Sequence, residues 1–428
     1  MDRQLYESYL QILRDELVPA LGCTEPIAIA LAGAKAGELL GAQPERAEIC
    51  CSGNIIKNVK GVLVPNSGGR KGVEIAAALG VFVGDPSRGL EVLVGVDDAI
   101  RASAAKWVED GCVSYTVDPD VDNLYIDVTL IGGGHRARAV IEQYHTQFVL
   151  LEKDGEVLLE KKVAGDEEEV AEDSPKALLS VERILEFARC ARMEDVEELL
   201  DQQIDLNSAI SDYGLSESCG CQIGKTLLSA NDSDIKIRAK ARAAAGSDAR
   251  MSGCTMPVVI NSGSGNQGLT VSLPVIEYAR ELRADKETLC RALLISNLVA
   301  IHQKYYIGNL SAFCGAVSAA AGAGAGITYL RGGSDEEIAG TITNTLANTS
   351  GIICDGAKAS CAAKIATAVD AAILADAMTQ QGLVFPDGDG IVHADVEKTM
   401  KSVGHVGKQG MQSTDREVLR LMTDQVDL

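Results

Sequence analysis

The chain has 428 residues, 46% hydrophobic and 23% charged, enough apolar material for the buried cores of two or three domains. Its 61 acidic against 39 basic side chains leave a net charge of −22. That balance argues against nucleic acid or a membrane surface as partner, since phosphate binding needs clustered Lys and Arg and here they are scattered. Twelve cysteines behind an amphipathic, non-secretory N-terminus argue against a disulfide framework and for a cytoplasmic setting.

In chain order, residues 1–45 read as two helices that pack on the catalytic domain. The second starts at Thr24-Glu25-Pro26, where Thr24 can cap and Pro26 suits the first turn. Residues 46–165 read as an α/β domain. Strands are expected at 61–64, 90–94 and 124–130, and helices around 72–80 and 97–107. Charge density then rises, and 166–180 reads as an acidic, solvated linker. Residues 181–428 read as a helical catalytic domain broken by glycine loops at 214–224, 261–268, 308–315, 331–333 and 351–356. The expected class is α+β: a large Ala/Gly-rich helical domain beside a smaller α/β domain near the N-terminus. The longest weakly polar tract, Ala316 to Leu330, is too short to span a bilayer.

Several stretches carry residues with chemistry. Cys23 precedes a helix start, where free backbone N–H groups favour a thiolate; the plain alternative is a half-buried cysteine at a junction. Ser52 to Gly61 and Pro65 to Gly72 are turn-rich and could receive a carboxylate, or simply flank a strand. Asn261 to Gly268 contains a literal G-x-G-x-x-G, but Pro274 and the helical segment that follows do not give the second strand a dinucleotide fold requires. A loop touching a small substrate is the better reading. Cys314 and Cys354 each sit at a glycine break beside an Ala-rich helix, with Cys361 about two turns beyond Cys354. None of these forms a compact zinc pattern. Thiolates gathered from distant loops can hold an iron–sulfur cluster; equally, these are small residues in a packed bundle. Cys219, Cys221 and Cys254 rank lower.

Five segments together resemble one family. LGCTEP (from Leu21), SGNIIKNVKGVLVPN (from Ser52), NSGSGNQG (from Asn261), FCGA (from Phe313) and CDGAKASCA (from Cys354) look like the L-cysteine desulfidases, relatives of the iron–sulfur L-serine dehydratase α subunit. The resemblance runs nearly end to end. It implies a [4Fe–4S] cluster, no pyridoxal phosphate, and conversion of L-cysteine to pyruvate, ammonia and sulfide. It implies Cys23, Cys314 and Cys354 as ligands, with Cys361 as an alternative. Three thiolates would leave one iron open as a Lewis acid. His302, Lys358 and Ser264 are then candidates for the base that takes the α-proton. Ser52, Asn54, Lys57, Ser264, Asn266 and Gln267 are candidates for holding substrate. L-serine dehydration by the same machinery is one competing reading, and a non-catalytic iron–sulfur or redox protein is another. The expected partner is a small amino acid, with self-association left open.

Overall fold

The computed structural model describes residues 1–161, 174–308 and 310–422. The N-terminal part runs α1 (Arg3–Glu16), β1 (Pro19–Leu21), α2 (Thr24–Leu40), β2 (Arg46–Ser52), α3 (Gly53–Lys60), α4 (Val73–Val83), α5 (Asp98–Glu109), β3 (Val113–Asp118), β4 (Tyr125–Gly132), β5 (His135–Glu142), β6 (Phe148–Lys153) and β7 (Glu156–Glu160). The remainder is α6 (Val181–Cys190), α7 (Met193–Ser216), α8 (Ile223–Ala230), α9 (Ile235–Met251), the short β8 (Pro257–Val259), α10 (Gly265–Leu282), α11 (Lys286–Ile307), α12 (Gly315–Leu330), α13 (Asp335–Thr349), α14 (Cys361–Thr379), α15 (Val396–His405) and α16 (Gln412–Met422). A mixed sheet region beside a large helical part follows, as the sequence implies.

Six strands form one sheet in the order β3-β2-β4-β5-β6-β7. Only β2 and β3 run parallel, and the long crossover between them carries α3, α4 and α5. The other pairs are antiparallel, with Ile49 opposite Val128 and Val128 opposite Ala139. Helix α2 lies across β4 and β5, with α4 packed on α2. Helix α1 instead packs on α7 and α11, so residues 1–45 divide between the two parts. The acidic stretch at 166–180 lies largely outside the described residues; its end, Pro175–Leu178, is one 3₁₀ turn.

Two expected strands are not strands. Residues 61–64 form a loop in which Val62 and Val64 are buried and the Ser67 N–H turns back to the Val64 carbonyl. Residues 90–94 belong to a 3₁₀ run, Pro86–Gly95, that buries Leu90, Val92 and Leu93. Short apolar runs report burial, and periodicity alone does not separate a strand from a buried turn. Pro274, which argued against a second strand after the glycine loop, sits inside the continuous helix α10.

In the helical part α12 is central, with α10, α11, α13 and α14 around it. Its Ala/Gly sequence is buried over nearly its whole length, as expected of a helix apolar on every face. A second junction sets the functional end of the molecule. β1 pairs antiparallel with β8, Pro19 opposite Val259, which brings the start of α2 beside the start of α10. Asn207, fully buried on α7, holds that junction: it donates to the carbonyls of Val259 and Gly268 and accepts from the Val259 N–H at 2.9 Å. Asn261 is tied in turn to Asn297.

Candidate active site

Four helices begin around one buried region. Cys23 is the N-cap of α2 and Cys314 the N-cap of α12; neither end has a side-chain cap. Cys361 is the first residue of α14, and the glycine loop opens α10. The free N–H groups of such ends favour negative charge.

Local contacts bring these ends together. The hydroxyl of Thr24 donates to the Gly263 carbonyl at 2.8 Å, joining the Cys23 turn to the glycine loop. The loops of Cys314 and Cys354 are laced by an antiparallel bridge, Phe313 to Ile353: the Cys314 N–H donates to the Ile352 carbonyl at 3.0 Å and the Cys354 N–H to the Ala312 carbonyl at 2.6 Å. Cys23 and Cys361 share a small apolar cluster with Val62, Met251 and Ala357. At Gly315 a Cβ would fall 2.7 Å from the side-chain carbon of Gln267, so the Gln267 amide lies flat on the first turn of α12. Gly356 has φ +93 and would place a Cβ 2.2 Å from the Lys57 carbonyl, so only glycine lets the Cys354 loop close on α3.

Burial dominates the thiols. It raises Cys314 to about 12, with Cys354 and Cys361 acting on it in turn, and it raises Cys361. Burial also pushes Cys23 well up, and Glu25 adds to this, while Arg250 pulls the other way. The Cys23 thiol donates to Glu25 Oε2 at 2.9 Å, and Glu25 Oε1 stands 3.8 Å from His145 Nε2, an ion-pair separation too long for a hydrogen bond. For Glu25 burial acts upward, but His145 and the Cys23 thiol outweigh it and hold the carboxyl at about 2. Thiols kept protonated in this way release protons when they bind metal.

Among the described residues no three His, Cys, Asp or Glu side chains stand close enough to hold a single metal ion. Cluster thiolates bind separate irons and stand wider apart than the ligands of one ion. Four soft thiols, three at helix starts and Cys354 in the loop laced to Cys314, suit iron–sulfur chemistry as a donor set.

A cleft of about 1110 Å³ opens between the strand ends of the sheet, the end of α11 and the C-terminal helices; none of the four cysteines lines it, and Lys304 links it to Cys354 and Cys314. Ser52, Asn54, Lys57, Ser262 and Lys304 line it. Lys304 is buried; desolvation brings its ammonium down to about 8, against the pull of Cys354 and Cys314. Lys57 is buried and paired with Asp415 of α16. Ser52 caps α3 and donates to the Asn123 carbonyl at 2.7 Å, while Asn54 donates to Asn123 Oδ1 at 3.0 Å.

The sequence candidates divide accordingly. Lys57 and Asn54 face the cleft, and Ser264, Asn266 and Gln267 open α10 beside the cysteines. His302 is not brought to them. It is two residues from Lys304 on α11, about 200° around the helix, and its Nε2 meets Glu397 of α15 at 2.8 Å. Lys358 is committed to its own loop, donating to the carbonyls of Asp355 and Gly356 and pairing, like Lys364, with the Asp355 carboxylate. Sequence reading did not single out Glu25, His145, Arg250 or Lys304. Glu25 and Lys304 stand two residues from candidates that were named; His145 and Arg250 carry no local signal.

The structure defines a helical scaffold that gathers cysteines at helix ends beside a polar cleft. Residues 137–420 match the family described as serine dehydratase alpha chain, and the chain belongs to that family. It is also similar over nearly its whole length to UPF0597 proteins. That of Desulfitobacterium hafniense is 49% identical over 428 residues, covering 99% of both chains. That of Lachnoclostridium phytofermentans is 50% identical over 418 residues, covering 98% of this chain and 100% of its own. That of Treponema denticola is 45% identical over 427 residues, covering 99% of each. The family match spans Cys314, Cys354 and Cys361. Cys23 precedes it, within the stretch shared with the UPF0597 relatives. Among the described residues no helix is long and apolar enough to cross a membrane.

Proposed function

We propose that the chain is a β-eliminating lyase of the serine dehydratase kind, and that its substrate is L-cysteine, released as pyruvate, ammonia and sulfide. The observation that carries this reading is the meeting of cysteine-bearing helix ends beside a polar cleft in a chain of this family. Cys23, Cys314 and Cys354 are the proposed holders of a [4Fe–4S] cluster, with Cys361 as the alternative third. Such a group, when bound, supplies an open iron as a soft Lewis acid for the leaving sulfur.

The chain's own residues supply the rest. The Cα proton must be taken as the Cβ–S bond breaks and the Cα–Cβ double bond forms. Lys304 takes the place of His302 as the proposed acceptor, because it is the α11 side chain that faces both cleft and thiols. The resulting aminoacrylate tautomerises to an imine, and water hydrolyses that to pyruvate and ammonia. Lys57 and Asn54 line the approach, and burial behind them limits water around the amine.

L-serine, eliminating water, is the second reading, favoured by the family's description. Anaerobic protein given each amino acid separately decides between them. Equal sulfide and pyruvate from L-cysteine is the expected result. Pyruvate from L-serine alone assigns dehydration, and turnover of neither overturns the lyase reading.

A further inference from the structure

Arg250 lies in the last turn of α9 and is 2% exposed. Its Nε is out of contact with solvent and has no partner, and among the described residues no carboxylate pairs with it. Three other arginines are the control. Arg138 holds Asp127, Arg238 holds Glu277 and Arg331 holds Asp376, although each is more exposed than Arg250. An unpaired buried guanidinium is costly enough that a fold keeps one only where an anion will meet it.

Its position says which anion. A Cβ at Gly265 would lie 2.3 Å from Arg250 Nε and 2.8 Å from its Cζ, so the guanidinium lies against the first residue of α10. That helix has 18 residues and no side-chain cap, and its first intrahelical bond is from the Gly268 N–H to the Ser264 carbonyl. The N–H groups of Gly265, Asn266 and Gln267 therefore open toward the same spot. Two acceptors complete it: Asn266 Oδ1 and Gln267 Oε1 are both buried without donors. Gln267 lies on Gly315, next to Cys314.

A carboxylate accepts hydrogen bonds and an ammonium donates them. Unmet donors from Arg250 and the α10 terminus, beside unmet acceptors from Asn266 and Gln267, match both groups of an α-amino acid. We infer that Arg250 and the N-terminus of α10 form the subsite for the substrate's α-carboxylate, with Asn266 and Gln267 receiving its α-ammonium. The subsite would hold Cα beside Cys314 and leave the β-substituent free to reach the thiol-bearing ends. This assignment rests on the amino-acid lyase reading for the identity of its ligand.

The test uses full-length anaerobic protein, wild type and Arg250→Met, matched for iron and sulfide content and checked by circular dichroism. KM is measured for L-cysteine and L-serine. Binding is measured by equilibrium dialysis with L-alanine, which keeps both charged groups and lacks a leaving group, and with ethylamine, which lacks the carboxylate. Arg250→Met is expected to weaken L-alanine binding and raise KM about 100-fold, the scale of a lost charge-assisted contact, with ethylamine unaffected. Arg250→Lys, which keeps charge without the planar fork, is expected to lose about tenfold, and it stands in should the methionine variant fail to fold. Turnover with an unchanged KM in either variant overturns the carboxylate subsite and leaves the lyase reading standing. L-alanine binding that depends on Arg250 in a protein that turns over neither substrate keeps the subsite and overturns the lyase reading.

Discussion

The two parts of the molecule treat buried polar groups differently. In the sheet part Arg138 grips Asp127 through three hydrogen bonds of 2.6 to 3.0 Å. The buried side-chain polar atoms left without partners there, Asn54 Oδ1 and His145 Nε2, both lie on the side turned to the helices. Among the described residues the helical part leaves unpaired polar atoms on Ser208, Ser247, Asp248, Arg250, Asn266, Gln267, His302, Gln303 and Ser318. Most native buried polar groups are paired, so the three exceptions that meet at one set of helix ends, Arg250, Asn266 and Gln267, point to a ligand. The sheet is built to be stable, and the helix ends are built to receive something.

The sharpest way to break this contrast is to exchange thiols between the parts. Cys354→Ala or Cys314→Ala is expected to abolish bound iron and to lower turnover on the order of 1000-fold, about 4 kcal/mol of barrier. Cys51→Ala, fully buried in β2, is expected to cost about 1 kcal/mol of stability and leave iron and turnover alone. Iron and sulfide content, the visible spectrum and thermal unfolding read both. A cluster that survives the first pair would end the ligand assignment.

The next effect is at Lys304. Replacing it with Met is expected to lower kcat by about 100-fold or more without loss of stability, because a buried cation is removed. In the wild type the amine gains its neutral, basic form as pH rises through about 8. Its pKa lies below that of an ordinary lysine, so between about 8 and 10.5 the unfolded chain binds more protons than the folded one. The burial penalty is therefore fully present below pH 8 and relieved as pH rises through that window. A pH–rate profile rising toward pH 8 in the wild type and flat in Lys304→Met is the expected result.

How far the sequence reaches follows from the same contrast. A β-branched run located β4 and helical spacing located α4 and α5; of these only α5 buries one face and exposes the other, while β4 and α4 are buried along most of their length. The same signals failed at 61–64 and 90–94, where short apolar runs are buried in a loop and in a 3₁₀ run. Gly-flanked cysteines were readable because helix ends carry local signals. Arg250 and Lys304 were not. Arg250 lies in the last turn of a helix rich in Lys and Arg, and nothing local tells a solvated arginine from a buried one. His302 against Lys304 turned on helix phase. Only the packing of α15, nearly a hundred residues on, decides which face of α11 meets the cleft.

A smaller effect tests the stable part. Asp127→Ala leaves Arg138 without its carboxylate between β4 and β5 and is expected to cost about 2 kcal/mol, since the guanidinium is partly buried. KM and kcat should not change, because the pair belongs to the sheet and not to the cleft. Denaturant midpoints and steady-state rates measure the two independently. A large loss of turnover in a folded variant would mean that the sheet is coupled to the helix ends.

The smallest expected effect is at His302, where the sequence pointed to chemistry and the structure to packing. His302→Phe should cost about 1 kcal/mol and leave kcat near wild type. Burial would raise the carboxyl of its partner Glu397, but the hydrogen bond from His302 outweighs it, and the net pKa lies below the usual 4.5. A depressed carboxyl contributes stability that is complete above its unfolded value and is lost as pH falls through the folded one. The gap in melting temperature between wild type and His302→Phe should therefore hold at neutral pH and close below about pH 4.5. A fall in kcat as large as that of Lys304→Met, in a variant that melts normally, would restore His302 as the base and reverse the assignment of the two faces of α11.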